Sequence, residues 1–240
     1  MKTFRATSGP FAERPHFELY EIERICMEEL HSVGLFPTRP EPVRIERFVE
    51  KRFGVTPTYD DMPQGVLGFT RFGAKGVESI VVSRALADDN GRVADRRLNT
   101  TIAHEAGHGL LHAHLFILNE GVPLLFEGDT DVEPLRILCR DSKEDGGARG
   151  QRGRAGYGGR WWEWQANRCM GALLLPKQLV AAALHDLTEA PGPLGRALLP
   201  TSKKEHAASV LAEVFDVNPV VARLRLSELY PEGDMSQLSL

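Results

Sequence analysis

The sequence predicts an α+β fold, a small β-sheet beside a central helix with a helical pair at the C-terminal end. Three observations carry that expectation. Apolar residues recur at helical spacing in several separate stretches, a glycine-punctuated β-branched block lies between them, and a histidine-bearing helix follows that block. In chain order, residues 1–15 show no period and are expected to form a flexible tail. Leu19, Ile22, Ile25, Cys26, Leu30 and Val33 share one helical face, and Gly34 is a natural stop. Pro37, Pro40 and Pro42 make a rigid connector to a short helix over 43–54. Val66 to Thr70 and Ser79 to Ser83 predict two or three strands, with a turn at Phe72-Gly73-Ala74-Lys75-Gly76. Asn99, Thr100 and Thr101 resemble helix-capping residues and Ile102 begins an apolar run, which places the next helix over the histidines. Trp161 to Leu175 is a further apolar helix stopped by Pro176. His206 to Phe215, Asp216-Val217-Asn218 and Pro219 to Leu229 give helix, tight turn, helix.

The chemistry concentrates in His104-Glu105-Ala106-Gly107-His108. Residues four apart on a helix lie one above the other, so His104 and His108 can aim their rings at one metal ion. Glu105 can reach a water there as general base without ligating the metal. Two residues are candidates for the third ligand. His114 completes a metzincin-like histidine spacing, but that arrangement needs a glycine where Leu111 stands. Glu163, near the start of the apolar helix that runs to Leu175, would give a two-histidine, one-glutamate shell with a fourth position for water. Leu111 favours Glu163.

His104-Glu105-Ala106-Gly107-His108-Gly109-Leu110-Leu111-His112, then Glu163-Trp164-Gln165-Ala166-Asn167-Arg168 and Leu173-Leu174-Leu175-Pro176, resemble the ImmA/IrrE family of zinc peptidases. The resemblance covers residues 16–114 and 160–230. It implies a zincin-like metallopeptidase domain, Zn2+ held by His104, His108 and Glu163, and Glu105 as the catalytic base. It also implies that the substrate is a helix-turn-helix transcriptional repressor, cleaved to release a stress, mobile-element or phage-defence response. Cys169 and Met170 depart from the family's usual Phe and Ala, and residues 115–160 form a long insert. The domain is expected over 16–200, with a helix-turn-helix-like appendage over 201–240.

Composition fits that expectation. A net charge of −4 with 26% charged residues excludes a global preference for nucleic acid or membrane. No apolar run is long enough for a bilayer, and no signal-peptide core precedes the first helix, so a cytoplasmic protein is expected. Three scattered cysteines do not make a disulfide framework. Cys26 and Cys169 fall in apolar helical patterns and are expected in the core. Cys139 precedes a glycine- and arginine-rich loop, and its thiolate is a candidate inhibitory fourth zinc ligand.

That loop, 146–160, holds Arg149, Arg152, Arg154 and Arg160 without an acid, and Tyr157, Trp161 and Trp162 lie near them. Arginines neutralise phosphates and aromatic faces stack on bases, so single-stranded DNA is a candidate activator, against a plain solvated loop. One strand of 65–84 is a candidate rail for extended substrate. His112, His114, Tyr157 and His185 are candidates to stabilise an oxyanion. A DNA-binding regulator with a structural zinc site is the alternative, drawing on the C-terminal helices. Their second member has only Arg223 and Arg225 as basic residues, and Glu228 follows, which favours structural support over DNA readout. A further alternative is an interaction protein with a vestigial site.

Overall fold

A computed structural model describes residues 2–5, 13–117, 136–140, 161–189 and 197–231. Where a loose tail was expected, β1 (Lys2–Arg5) and β2 (Glu13–His16) pair antiparallel, Phe4 opposite Arg14. Both are short and charged, so no apolar alternation marks them. Helix α1 (Leu19–Ser32) buries Ile22, Cys26 and Leu30 as one stripe. A capping box between Glu18 and Glu21 starts it. Helix α2 (Ile45–Phe53) buries Ile45, Phe48 and Val49 and ends on Gly54, whose φ of 72° is open to glycine without strain.

Strands β3 (Thr58–Asp60), β4 (Val66–Gly73) and β5 (Gly76–Ser83) follow. After α3 (Arg84–Asp88) and α4 (Arg92–Ile117), β6 (Arg136–Arg140) completes a sheet of order β3-β5-β4-β6. β4 pairs antiparallel with both β5 and β6, and β3 runs parallel to β5. The 65–84 hairpin is therefore the sheet's interior. Neither of its strands keeps a free edge for substrate; among the described residues the free edges belong to β3 and β6.

Helix α4 starts seven residues before Asn99, which corrects the expected N-terminus. Thr100 and Thr101 do not cap it; their hydroxyls donate to the carbonyls of Arg96 and Arg97, at 2.6 and 3.0 Å. Residues 101–109 are all buried, because the helix lies between the sheet, α2 and α5 (Trp161–Leu174). Gly107 permits the closest of these contacts. A Cβ there would stand 3.0 Å from the Ala166 carbonyl oxygen and 3.1 Å from Cys169 Cβ. Cys169 and Cys26 are buried in the core as expected, and they meet there, Sγ to Sγ 3.4 Å.

Pro176 ends α5 and caps a helix not expected from the sequence, α6 (Lys177–Ala183). The C-terminal pair is α7 (Lys204–Val214) and α8 (Pro219–Leu229), with the Asn218 side chain accepting from the Val220 N–H. Its second helix docks through Arg225, which is fully buried. Arg225 Nε donates to the Leu175 carbonyl at 3.0 Å, and its Nη1 meets Glu23 of α1 and Glu228. Arg168 of α5 also pairs with Glu228. Arg223, the other basic residue of α8, is exposed and bound to Glu205. Both arginines of a would-be recognition helix are thus engaged within the chain. Among the described residues, no helix is long and apolar enough to cross a membrane.

Candidate metal centre

Three side chains from two helices meet at one point. His104 and His108 stand one above the other on α4, and Glu163 comes from the first turn of α5. The Nε2 atoms of the two histidines are 3.0 Å apart. Glu163 Oε2 lies 3.1 Å from His104 Nε2, and its Oε1 lies 3.6 Å from His108 Nε2. These residues could hold a metal ion. Ligand atoms on one tetrahedral ion with bonds near 2.0–2.1 Å stand about 3.3 Å apart, and the observed separations bracket that value.

The outer ring nitrogens support the same use. His104 Nδ1 is 3.2 Å from Asn167 Oδ1, one turn beyond Glu163 on α5. His108 Nδ1 is 3.0 Å from His112 Nδ1. Each imidazole has a hydrogen-bond partner on the side away from Glu163, the arrangement that orients ligating histidines. Burial, then His104 and His112, push the His108 pKa down, so its neutral, ligating form is favoured.

Glu105 is fully buried beside the ligands. The Thr70 hydroxyl donates to its Oε2 at 2.7 Å, whereas Oε1 has no hydrogen-bond partner among the described residues. An orphaned buried carboxylate oxygen carries a free-energy penalty unless a proton, water or cation satisfies it. Burial raises the Glu105 carboxyl to about 8, which His104 and Thr70 only partly oppose. Above it β4 passes at Gly68. A Cβ there would lie 2.9 Å from the Val81 carbonyl oxygen, 3.0 Å from Thr101 Cγ2 and 3.5 Å from Glu105 Oε1. The glycine lets the sheet close over the carboxylate.

The other expected site residues divide. His114 does not join the centre, because α4 continues past it. Six residues beyond His108 it is turned about 240° around the helix. Leu111, where a chain reversal would need glycine, is in the core. His112 is buried with both nitrogens engaged, which removes it as an oxyanion stabiliser. His185 is exposed and pairs with its neighbour Asp186. Cys139 lies on β6, its backbone in register opposite Gly68. Arg149, Arg152, Arg154, Arg160 and Tyr157 lie outside the described residues. Thr70 was not singled out from the sequence, and Gln165 and Asn167 entered only as members of the quoted motif, with no role assigned. A role for Asn167 was within reach, since it follows Glu163 by four residues and so shares its helix face.

Neither a protein-family model nor a curated protein sequence matches the chain.

Proposed function

We propose that the chain is a zinc-dependent endopeptidase of the ImmA/IrrE type, with a zincin-like fold, that cleaves a helix-turn-helix repressor. One observation carries the reading. Two imidazole nitrogens and a carboxylate converge on one point, and the buried glutamate that follows His104 in sequence keeps one carboxylate oxygen without a hydrogen-bond partner among the described residues. Two neutral imidazoles with one carboxylate suit zinc and leave room for a further ligand, as catalytic rather than structural sites do. A zinc ion held there supplies Lewis acidity toward a peptide carbonyl and toward water. Glu105 takes the proton of the attacking water on Oε1 and delivers it to the leaving nitrogen. Thr70 holds the other carboxylate oxygen, which leaves Oε1 for the proton. Burial beneath β4 excludes bulk water and keeps the proton-holding form of Glu105 accessible near neutral pH. His104 and His108 are oriented by Asn167 and His112.

The repressor as substrate rests on the resemblance in the two motifs. Regulation belongs to the insert. Cys139 as an inhibitory fourth ligand is supported by the register that sets it opposite Gly68, the residue over Glu105. Single-stranded DNA as activator rests on the four arginines of 146–160.

The test incubates zinc-loaded wild type and Glu105→Gln with a helix-turn-helix repressor, the one encoded beside this gene if there is one, with and without single-stranded DNA. Cleavage by wild type alone is expected, enhanced by DNA. An intact repressor in every lane, with zinc bound, would move the reading to a DNA-binding regulator with a structural zinc.

A further inference from the structure

His104, His108 and His112 stand on successive rungs of α4, four residues apart, yet only the first two face Glu163. His112 continues outward instead. Its Nδ1 is 3.0 Å from His108 Nδ1, and its Nε2 is 3.0 Å from Gln165 Oε1. The Gln165 side-chain amide in turn donates to the Pro15 carbonyl oxygen at 2.7 Å. Both side chains are buried, and the Trp161 ring stands edge-on to His112 with centroids 5.6 Å apart.

The direction of every proton in this chain follows from its far end. A backbone carbonyl can only accept, so Gln165 presents its NH2 group to Pro15 and its oxygen to His112. His112 Nε2 must therefore carry a hydrogen. In a neutral imidazole the other nitrogen is then bare, so His112 Nδ1 accepts. His108 Nδ1 must be the donor to it. That leaves the lone pair of His108 on Nε2, the atom that faces His104 and Glu163. Any other order sets two donors or two acceptors against each other inside the protein, at a cost of about 1–3 kcal/mol.

We propose that His112 and Gln165 are positioning residues for the metal. Their one-way hydrogen-bond chain, begun at the Pro15 carbonyl of β2, holds His108 in its metal-binding tautomer and couples metal retention to docking of the N-terminal strand. The inference rests on the metal centre described above. It adds β2, which lies outside the two motifs, as an outer support of a ligand.

The test uses the full chain and compares wild type, His112→Phe, Gln165→Leu and Gln165→Glu. The readouts are zinc affinity by chelator competition and the visible absorption bands of the cobalt-substituted protein. Removing a group that orients a ligating histidine lowers metal affinity roughly 10–100-fold. His112→Phe and Gln165→Leu are expected to show that loss, with altered cobalt bands. Gln165→Glu keeps an oxygen toward His112, and as the neutral acid it can still donate to the Pro15 carbonyl, so it should lose less than Gln165→Leu. A purely structural role would lower the Tm of the metal-free variants and leave zinc affinity and cobalt bands unchanged, which overturns the proposal. Wild-type affinity in Gln165→Leu, with the loss confined to His112→Phe, would overturn the coupling to β2. If wild type binds neither zinc nor cobalt, the metal centre itself is refuted, a result distinct from equal binding by all four proteins.

Discussion

Glu105 is a carboxylic acid enclosed on all sides, and its replacement by glutamine gives a quantitative test of how the site is built. Burial raises its carboxyl from the ordinary 4.5 to about 8. A group whose pKa is raised on folding adds stability below its unfolded value and loses it as pH rises through the folded one. The window is therefore from about 4.5 to about 8. Each unit corresponds to about 1.4 kcal/mol, so ionising Glu105 in the metal-free fold costs on the order of 5 kcal/mol once pH exceeds both values. That is a large share of the roughly 5–15 kcal/mol that holds a domain folded. Glutamine has nearly the same shape and stays neutral at every pH. The assay is urea unfolding of chelator-treated wild type and Glu105→Gln at pH 5 and pH 8.5. At pH 5 the two should be close. At pH 8.5 the variant should be the more stable by several kcal/mol. Parallel stability profiles would refute the reasoning, because they would mean that Glu105 ionises in the fold as it does in water.

Other expectations follow from neighbouring contacts. Thr70→Val removes the one hydroxyl that donates to Glu105, so repressor cleavage should fall, by roughly 10- to 100-fold for a lost hydrogen bond to a charged group, with zinc content unchanged by elemental analysis. Gly68→Ala sets a methyl 2.9 Å from the Val81 carbonyl oxygen, and thermal unfolding should register about 1–3 kcal/mol of destabilisation. Arg225→Met takes the cation from half-buried Glu23 and leaves Glu228 only Arg168, a loss of up to about 3–5 kcal/mol by denaturant titration. Arg223→Ala breaks only an exposed pair with Glu205 and should change stability by less than about 1 kcal/mol. If Arg223→Ala instead abolishes binding to duplex DNA, α8 is a recognition helix after all.

The histidine pair of the candidate metal group was legible because it depends on local geometry, whereas Glu163 came from the second motif. Four-residue spacing fixes where His104 and His108 stand on any helix, and Leu111 already argued that the helix would run on past His114. What surrounds the ligands was less legible, because it comes from pairings distant in sequence. Thr70 meets Glu105 across 35 residues and Gln165 meets Pro15 across 150, and neither spacing carries a local signal. His112 was considered from the sequence only as an oxyanion stabiliser, and its proton order depends on an acceptor in β2. The strands of that hairpin escaped notice since Lys2–Arg5 and Glu13–His16 alternate no apolar residues. The threonines before the histidines suggested a cap, and tertiary burial carried α4 back through them to Arg92. The α+β class and the helix-turn-helix outline of the C-terminal pair were legible throughout. That Arg225 is a buried anchor was not, because only packing distinguishes it from a surface arginine.

Every chemical step above depends on His104, His108 and Glu163 holding one ion. Native mass spectrometry of the purified chain, wild type beside Glu163→Gln, tests this most directly. One zinc per wild-type chain is expected, with most of it lost from Glu163→Gln. Wild type that stays metal-free after zinc is supplied, or a variant that keeps its full complement, would contradict the account.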